Sequence, residues 1–103
     1  MNPVLKAIEY FDSHNMDFDE SVADYMRNGY LYVSNETGDE CFIMAKILEN
    51  DELFVFFVLG NIKNLMSKIH FFPKTISFYR NNEGKKKIYD YEKFKNKVFG
   101  FKK

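Results

Sequence analysis

The chain has 103 residues, of which 46% are apolar, so it is long enough for one domain with a single hydrophobic core. We predict this one domain over residues 1–103, with no room for a second domain. Its longest apolar run, residues 53–59, is far shorter than the roughly 20 residues that a membrane-spanning helix needs, and a single cysteine excludes an internal disulfide and a cysteine-based metal cluster. The formal net charge is zero. The first twelve residues, MNPVLKAIEYFD, lack a basic region and a cleavage site, so we expect no signal peptide, a cytoplasmic location and no membrane partner.

The charged residues are divided unequally along the chain. Residues 1–60 contain three basic and twelve acidic residues, whereas residues 61–103 contain twelve basic and three acidic residues. Such a division can mark a basic contact surface for nucleic acid or for an acidic partner. Alternatively, the two parts fold together and their charges interleave on one solvated surface.

Two short helices are predicted at the N-terminus. Asn2 followed by Pro3 is typical of a helix start, and Asp17 with Glu20 forms a variant of the capping box ahead of a second helix. Gly29 stands where that second helix is expected to end. The apolar residues of the first helix that recur at helical spacing, and are therefore predicted to face the core, are Val4, Leu5, Ile8 and Phe11.

Three strands are predicted next, within residues 30–36, 41–48 and 53–59. Turn residues separate them at Thr37–Gly38 and Asn50–Asp51, and these short intervals indicate an antiparallel meander. The third strand has no polar alternation, which predicts a central strand buried on both faces. Its residues expected to be largely buried are Val55, Phe57 and Leu59.

A helix is predicted after Gly60, ending before Pro73, followed by a strand at residues 75–80, a turn at 81–84 and a partner strand at 86–91. A lysine-rich amphipathic tail completes the chain. The predicted class is therefore α+β: two N-terminal helices, an antiparallel three-strand meander, a helix, a further strand or hairpin, and a C-terminal helix. Apolar residues predicted to face inward are Ile62, Leu65, Met66 and Ile69 in the first of these helices and Tyr91, Phe94 and Val98 in the tail.

This order of elements, with the segment FPKTISFYRNNEGKKKIYDY near the end, resembles the core of the GNAT acyltransferase superfamily. More narrowly, it is similar to the small GNAT-like proteins encoded by phages, over residues 15–100. In that family the strand-to-helix junction carries Gln or Arg, two residues, Gly, one residue, then Gly or Ala, and its backbone N–H groups hold the pyrophosphate of acetyl-CoA. The resemblance implies a candidate cofactor site at Leu59, Gly60, Asn61 and Ile62.

The corresponding stretch, VLGNIKNL, departs from the family signature. Gly60 is present, but Phe57 stands at the Gln or Arg position and Ile62 at the second small position. We therefore predict that no cofactor is bound, with acetyl-CoA binding through backbone groups as the alternative. For a transferase, the resemblance implies a Glu base on the third or fourth strand, or Tyr79 or Tyr89 as acid, and no spacing selects among them.

A basic turn is the second candidate site, with Arg80, Lys85, Lys86, Lys87 and Lys93 as predicted partner-binding residues. Nearby tyrosines interleave with these charges, a pattern that can bind phosphates and stack on bases. Lysines on an edge strand also prevent pairing with other chains.

The remaining polar candidates do not indicate a site. The two histidines, His14 and His70, lack metal-ligand spacing, so no metal site is predicted. Cys41 lies in the strand-like segment CFIMAKIL and is expected to be a small buried apolar residue.

Three function classes follow from these observations. The first is a non-enzymatic protein-interaction module on a GNAT-like scaffold, such as a phage accessory protein that binds a host or virion component. The second is a small acetyl-CoA-dependent N-acyltransferase. The third is a nucleic-acid-binding protein that uses the basic C-terminal part.

Overall fold

The computed structural model describes residues 2–69, 72–79 and 85–100. Within these ranges the chain forms four helices and five strands and is α+β, as predicted. The predicted turn at 81–84 lies outside the described residues. The helices are α1 (Pro3–Ser13), α2 (Phe18–Asn28), α3 (Lys63–Met66) and α4 (Tyr91–Phe99). The strands are β1 (Tyr30–Ser34), β2 (Cys41–Leu48), β3 (Glu52–Leu59), β4 (Thr75–Tyr79) and β5 (Lys86–Asp90).

Helices α1 and α2 begin where their capping residues predict. The side-chain oxygen of Asn2 accepts a hydrogen bond from the backbone N–H of Val4 at 3.0 Å. Asp17 accepts one from the N–H of Glu20, also at 3.0 Å, and Gly29 follows the last residue of α2. These caps satisfy N–H groups that have no partner inside the helix, so both starts are determined by local sequence.

The described strands form one mixed sheet in the order β1-β2-β3-β4-β5. Strands β1 to β3 pair antiparallel, which confirms the predicted meander, and β4 and β5 are also antiparallel. Strands β3 and β4 are parallel, because the chain crosses back through the α3 segment before β4 begins. They pair over four positions, Glu52 to Val55 of β3, whereas β2 and β3 pair over seven.

Helices cover both faces of the sheet, and successive residues of β2 belong to different core clusters because side chains alternate along a strand. The cluster on the α1/α2 face contains the buried residues Ala7, Phe11, Tyr25, Phe42 and Met44. The cluster on the α3/α4 face contains Cys41, Ile43, Ala45, Leu53, Val55, Leu65, Met66, Ile76 and Tyr91. The sheet therefore lies between two helical layers.

A β-bulge interrupts the pairing of the central strand β3. The register shifts between Met44 and Ala45 of β2, so that Phe56 is an extra residue on β3. The bulge brings Phe56 and Phe57 onto the same face, where their rings lie 6.0 Å and 5.4 Å from the ring of Phe11. Two consecutive aromatic residues thus pack against α1.

The burial predicted for β3 is confirmed for Val55 only. Phe57 and Leu59 are half-buried, and Val58 is exposed. The physical reason is that β4 pairs with β3 only as far as Val55, so the second half of β3 has a strand neighbour on one side within the described residues.

The burial predicted for α1 is confirmed for Phe11, and Val4 is half-buried against the same cluster, but the prediction is wrong for Leu5 and Ile8. Leu5 and Ile8 are 57% and 39% exposed, whereas Pro3, Ala7 and Phe11 are buried. Both sets have helical spacing, so periodicity alone could not decide which one faces the sheet.

The helix predicted after Gly60 is a single turn, Lys63–Met66. Leu65 and Met66 are buried as predicted, while Ile62 and Ile69 lie half-buried outside the helix. In α4 the prediction is confirmed, with Tyr91 buried and two further apolar residues, Phe94 and Val98, packed against the same cluster.

Candidate functional site

Gly60, at the predicted cofactor junction, is held close to strand β2. Its φ angle is +98°, and a Cβ atom at this position would lie 2.5 Å from the carbonyl oxygen of Glu40 and 2.8 Å from the Cβ of Cys41. Both features require glycine. The packing of the chain against β2 thus accounts for Gly60 without any ligand.

The backbone N–H groups of residues 63–66 are bonded within the chain. The side-chain oxygen of Asn61 accepts from the N–H of Lys63 at 2.9 Å, and the carbonyl of Ile62 accepts from Leu65 and Met66. Helix α3 has only four residues, which gives a weak dipole.

The side chains at this junction are directed into the protein core. Phe57 packs on the α1/α2 face, and Ile62 packs against the cluster on the other face; Leu59 is half-buried. The apolar side chains of Phe57 and Ile62 do not fit the pyrophosphate of CoA, which the family signature binds beside a polar side chain and a second small residue.

The structure separates the lysines of the predicted basic turn. Lys86 points to the α1/α2 face, where its Nζ lies 2.8 Å from a carboxylate oxygen of Glu52. Lys87 points to the α3/α4 face, because neighbouring side chains of a strand alternate. Lys85 is exposed just before β5, and Arg80 lies outside the described residues.

A groove of about 670 Å³ lies between β5 and α4, and two of the predicted residues, Lys87 and Lys93, line it. We call it the basic groove. Its other polar lining residues are Asp90 and Lys97. Its apolar and aromatic lining residues are Phe78, Tyr89, Phe94 and Val98.

Three aromatic rings form the floor of the basic groove. The ring centroids of Phe78 and Phe94 are 5.3 Å apart, and Tyr89 lies 6.3 Å from Phe78 and 5.9 Å from Phe94. These separations are those of ordinary aromatic contacts. Tyr89 is 38% exposed, so part of this cluster faces solvent and can receive an apolar side chain.

Helix α4 supplies one wall of the basic groove. Lys93 and Lys97 are four residues apart, and so are Phe94 and Val98. Each pair therefore forms one stripe along the helix, and the two stripes are adjacent on the same face. Lys93 is in the first turn of α4, where the helix dipole disfavours a cation. Its position is thus not explained by helix stability.

Asp90 lies in the basic groove, but its carboxylate has a structural role. It is the N-cap of α4 and accepts a hydrogen bond from the backbone N–H of Lys93 at 3.0 Å. A carboxylate at a helix start also interacts favourably with the dipole. The groove therefore presents three lysines against one carboxylate, which is bonded to the start of α4.

The two helical layers carry opposite charge. Charged residues of α1 and α2 are Lys6, Glu9, Asp12, Asp19, Glu20, Asp24 and Arg27. Charged residues of α3, α4 and the turn after α3 are Lys63, Lys68, Glu92, Lys93, Lys95 and Lys97. Because the sheet lies between these layers, the charged residues of the helices do not interleave, although Lys86 of the basic part pairs with Glu52 of the acidic part on the α1/α2 face. The basic groove belongs to the basic layer.

A second cavity, of about 390 Å³, opens where β3 and β4 cease to pair. Its aromatic lining residues are Tyr10, Phe56, Phe57, Phe78 and Tyr79. Among the described residues its lining contains no carboxylate, imidazole or thiol, and its titratable side chains are the phenols of Tyr10 and of Tyr79, one of the two tyrosines that the resemblance implies as acid.

The other single candidates remain isolated. Cys41 is buried, as predicted, and burial raises the pKa of its thiol, which makes it a poor nucleophile. His14 stacks on Tyr10 at the end of α1, with ring centroids 4.0 Å apart. His70 lies outside the described residues.

The described residues contain neither a cluster of metal ligands nor a helix that could cross a membrane. No three His, Cys, Asp or Glu side chains come together as metal ligands in residues 2–69, 72–79 and 85–100. Over the same ranges, no helix has both the length and the apolar character that crossing a membrane requires.

Comparison of the chain with protein-family models, curated proteins and solved structures finds no match. The likeness to GNAT-like proteins therefore rests on the order of the elements and the one C-terminal segment quoted above.

Sequence reasoning missed Phe78 and Lys97 as residues of the site. The spacing of Lys93, Phe94, Lys97 and Val98 was a usable signal, since it places two lysines beside two apolar residues on one helix face. The contribution of Phe78 depends on the pairing of β4 with β5, which the sequence does not specify residue by residue.

Proposed function

We propose that this protein is a non-enzymatic protein-interaction module that binds an acidic segment of a partner protein in the basic groove. The observation that supports it is the combination of an aromatic floor with Lys87, Lys93 and Lys97 around it. An apolar floor favours a ligand with apolar side chains, and the lysines favour one that also carries carboxylates. The partner class, a host or virion component, follows from the likeness to phage proteins alone.

Nucleic acid is the competing ligand for the same surface. Tyr89 and the lysines could stack on a base and contact phosphates. A protein segment fits better because most of the floor is closed by Phe78, Phe94 and Val98, which are at least half-buried and present little flat ring surface for stacking.

The test uses three fluorescent probes of equal charge: a peptide with alternating Glu and Leu pairs, a poly-Glu peptide, and a single-stranded oligonucleotide. Fluorescence anisotropy should show the tightest binding for the Glu-Leu peptide. Only this probe offers apolar side chains to the aromatic floor and carboxylates to the lysines. Affinity should fall moderately with salt, since exposed charges are screened over about 8 Å at physiological ionic strength.

Two variants locate the binding site. Lys93→Glu with Lys97→Glu reverses two charges in the groove and should reduce affinity for the Glu-Leu peptide at least tenfold, because like charges then face the ligand. The matched control, Lys74→Glu with Lys85→Glu, makes the same change in net charge at exposed positions outside the groove. Equal loss in both variants, or tighter binding of the oligonucleotide with a steep salt dependence, would overturn the proposal.

A further inference from the structure

Helix α1 carries a second apolar stripe that faces away from the sheet. Leu5 and Ile8 are exposed, and Glu9 and Asp12 are exposed beside them. Ile8, Glu9 and Asp12 follow Leu5 by three, four and seven positions. The four residues therefore lie on one face of the helix, opposite the buried residues. We call these four residues the outer stripe of α1.

The outer stripe has the chemistry that the basic groove fits. It presents two aliphatic side chains and two carboxylates on one helix face, and the groove presents an aromatic floor with three lysines. The outer stripe belongs to the α1/α2 layer and the groove to the α3/α4 layer, with the sheet between them. A molecule therefore cannot fill its own groove.

We propose that the basic groove binds the outer stripe of α1 from a second copy of this chain. Such a contact joins two different surfaces, so it is head-to-tail and does not close on itself in a dimer. Four side chains bury much less than the roughly 800 Å² per partner of a stable interface, so the association is weak and depends on concentration.

This inference rests on the proposed function, because it uses the same groove, and it adds a form of regulation. A second copy and an external acidic segment compete for one site, so high protein concentration should weaken binding of the Glu-Leu peptide.

The test is sedimentation equilibrium of the full chain at low and high salt. At low salt the mean mass of the wild type should rise above that of the monomer as concentration increases, and at high salt it should return to the monomer. A groove variant, Lys93→Glu with Lys97→Glu, and a stripe variant, Glu9→Lys with Asp12→Lys, should each remain monomeric. Circular dichroism checks that both variants are folded, and if either is not, Lys93→Gln with Lys97→Gln or Glu9→Gln with Asp12→Asn takes its place.

Mixing the two variants gives the sharpest result. The groove variant still has a normal outer stripe and the stripe variant still has a normal groove, and their two reversed surfaces are also complementary, so an equal mixture should associate although neither variant does so alone. A chain that carries all four changes should associate again, because the charge of the groove and the charge of the outer stripe are then both reversed. A monomeric wild type at all concentrations in low salt, or a mixture that stays monomeric, would overturn this inference. If the Glu-Leu peptide still binds in that case, the proposed function stands without it.

Discussion

Glu52 on β3 and Lys86 on β5 form an ion pair that spans the intervening strand β4, with the Lys86 Nζ 2.8 Å from Oε2 of Glu52. Ser77 of β4 donates a hydrogen bond to the same oxygen at 2.5 Å. Both charged side chains are largely shielded from solvent. Reversing the charge of Lys86 would place two carboxylates together, so variants that test the basic groove must leave this lysine unchanged.

The pH dependence of stability should report this ion pair. The hydrogen bond from Lys86, with a second from Ser77, lowers the pKa of Glu52 below its ordinary value of 4.5. The carboxylate therefore stabilises the fold above pH 4.5, and this contribution is lost as the pH falls through the lowered folded-state pKa. We expect thermal melts of the wild type to lose more stability on acidification than those of Glu52→Gln. Glu49→Gln, at an exposed turn, serves as control and should leave the wild-type pH profile unchanged.

Gly60→Ala should destabilise the protein strongly. The new Cβ would overlap the carbonyl oxygen of Glu40, and the positive φ adds a penalty of about 1–2 kcal/mol in the free energy of unfolding. Gly38→Ala is the matched control, since Gly38 also has a positive φ but no atom within 4 Å of a Cβ. Urea unfolding should show a clearly larger loss for Gly60→Ala, and equal losses would contradict the close approach to β2.

Phe11 and Phe57 should differ in their contribution to stability. Phe11 is fully buried among the rings of Phe18, Phe56 and Phe57, so Phe11→Ala should cost about 3–5 kcal/mol. Phe57 is half-buried, so Phe57→Ala should cost less. Urea unfolding of both variants measures the difference, and a greater cost at Phe57 would be inconsistent with this packing.

Acetyl-CoA should not bind measurably. At the junction before Gly60, Phe57 stands where the family signature has a polar side chain. The N–H of Lys63 is bonded to the side chain of Asn61. Calorimetric titration with acetyl-CoA checks this, with Lys63→Ala as a follow-up if heat is released. Saturable micromolar binding would instead support the acyltransferase alternative.

Local sequence signals predicted the elements of the fold better than their packing. The caps at Asn2 and Asp17 define their helix starts by bonds to residues two to three positions away. The exposure of Leu5 and Ile8 could not be predicted, because α1 has two sets of apolar residues at helical spacing and the sheet selects one. The bulge at Phe56 is a property of paired strands, so no pattern within β3 alone indicates it.

The candidate site was predicted in part, for a similar reason. The density of lysines near the C-terminus was evident, and Lys87 and Lys93 do line the basic groove. Lys86 was assigned to the same surface because it is adjacent in sequence, but adjacent residues of a strand point to opposite faces. The face to which a side chain points can be predicted from sequence only when the type of element and its register are both known.

The short parallel pairing of β3 with β4 has a consequence for how the protein opens. Among the described residues, the antiparallel meander is joined over seven positions between β2 and β3, whereas β4 pairs with β3 over four. Hydrogen exchange of amides tracks such differences, since weakly attached segments open at lower free energy than the rest. We expect the amides of β4, β5 and α4 to exchange before those of β2. The basic groove is built on this more labile unit, so a bound acidic segment should slow exchange there and leave the meander unaffected.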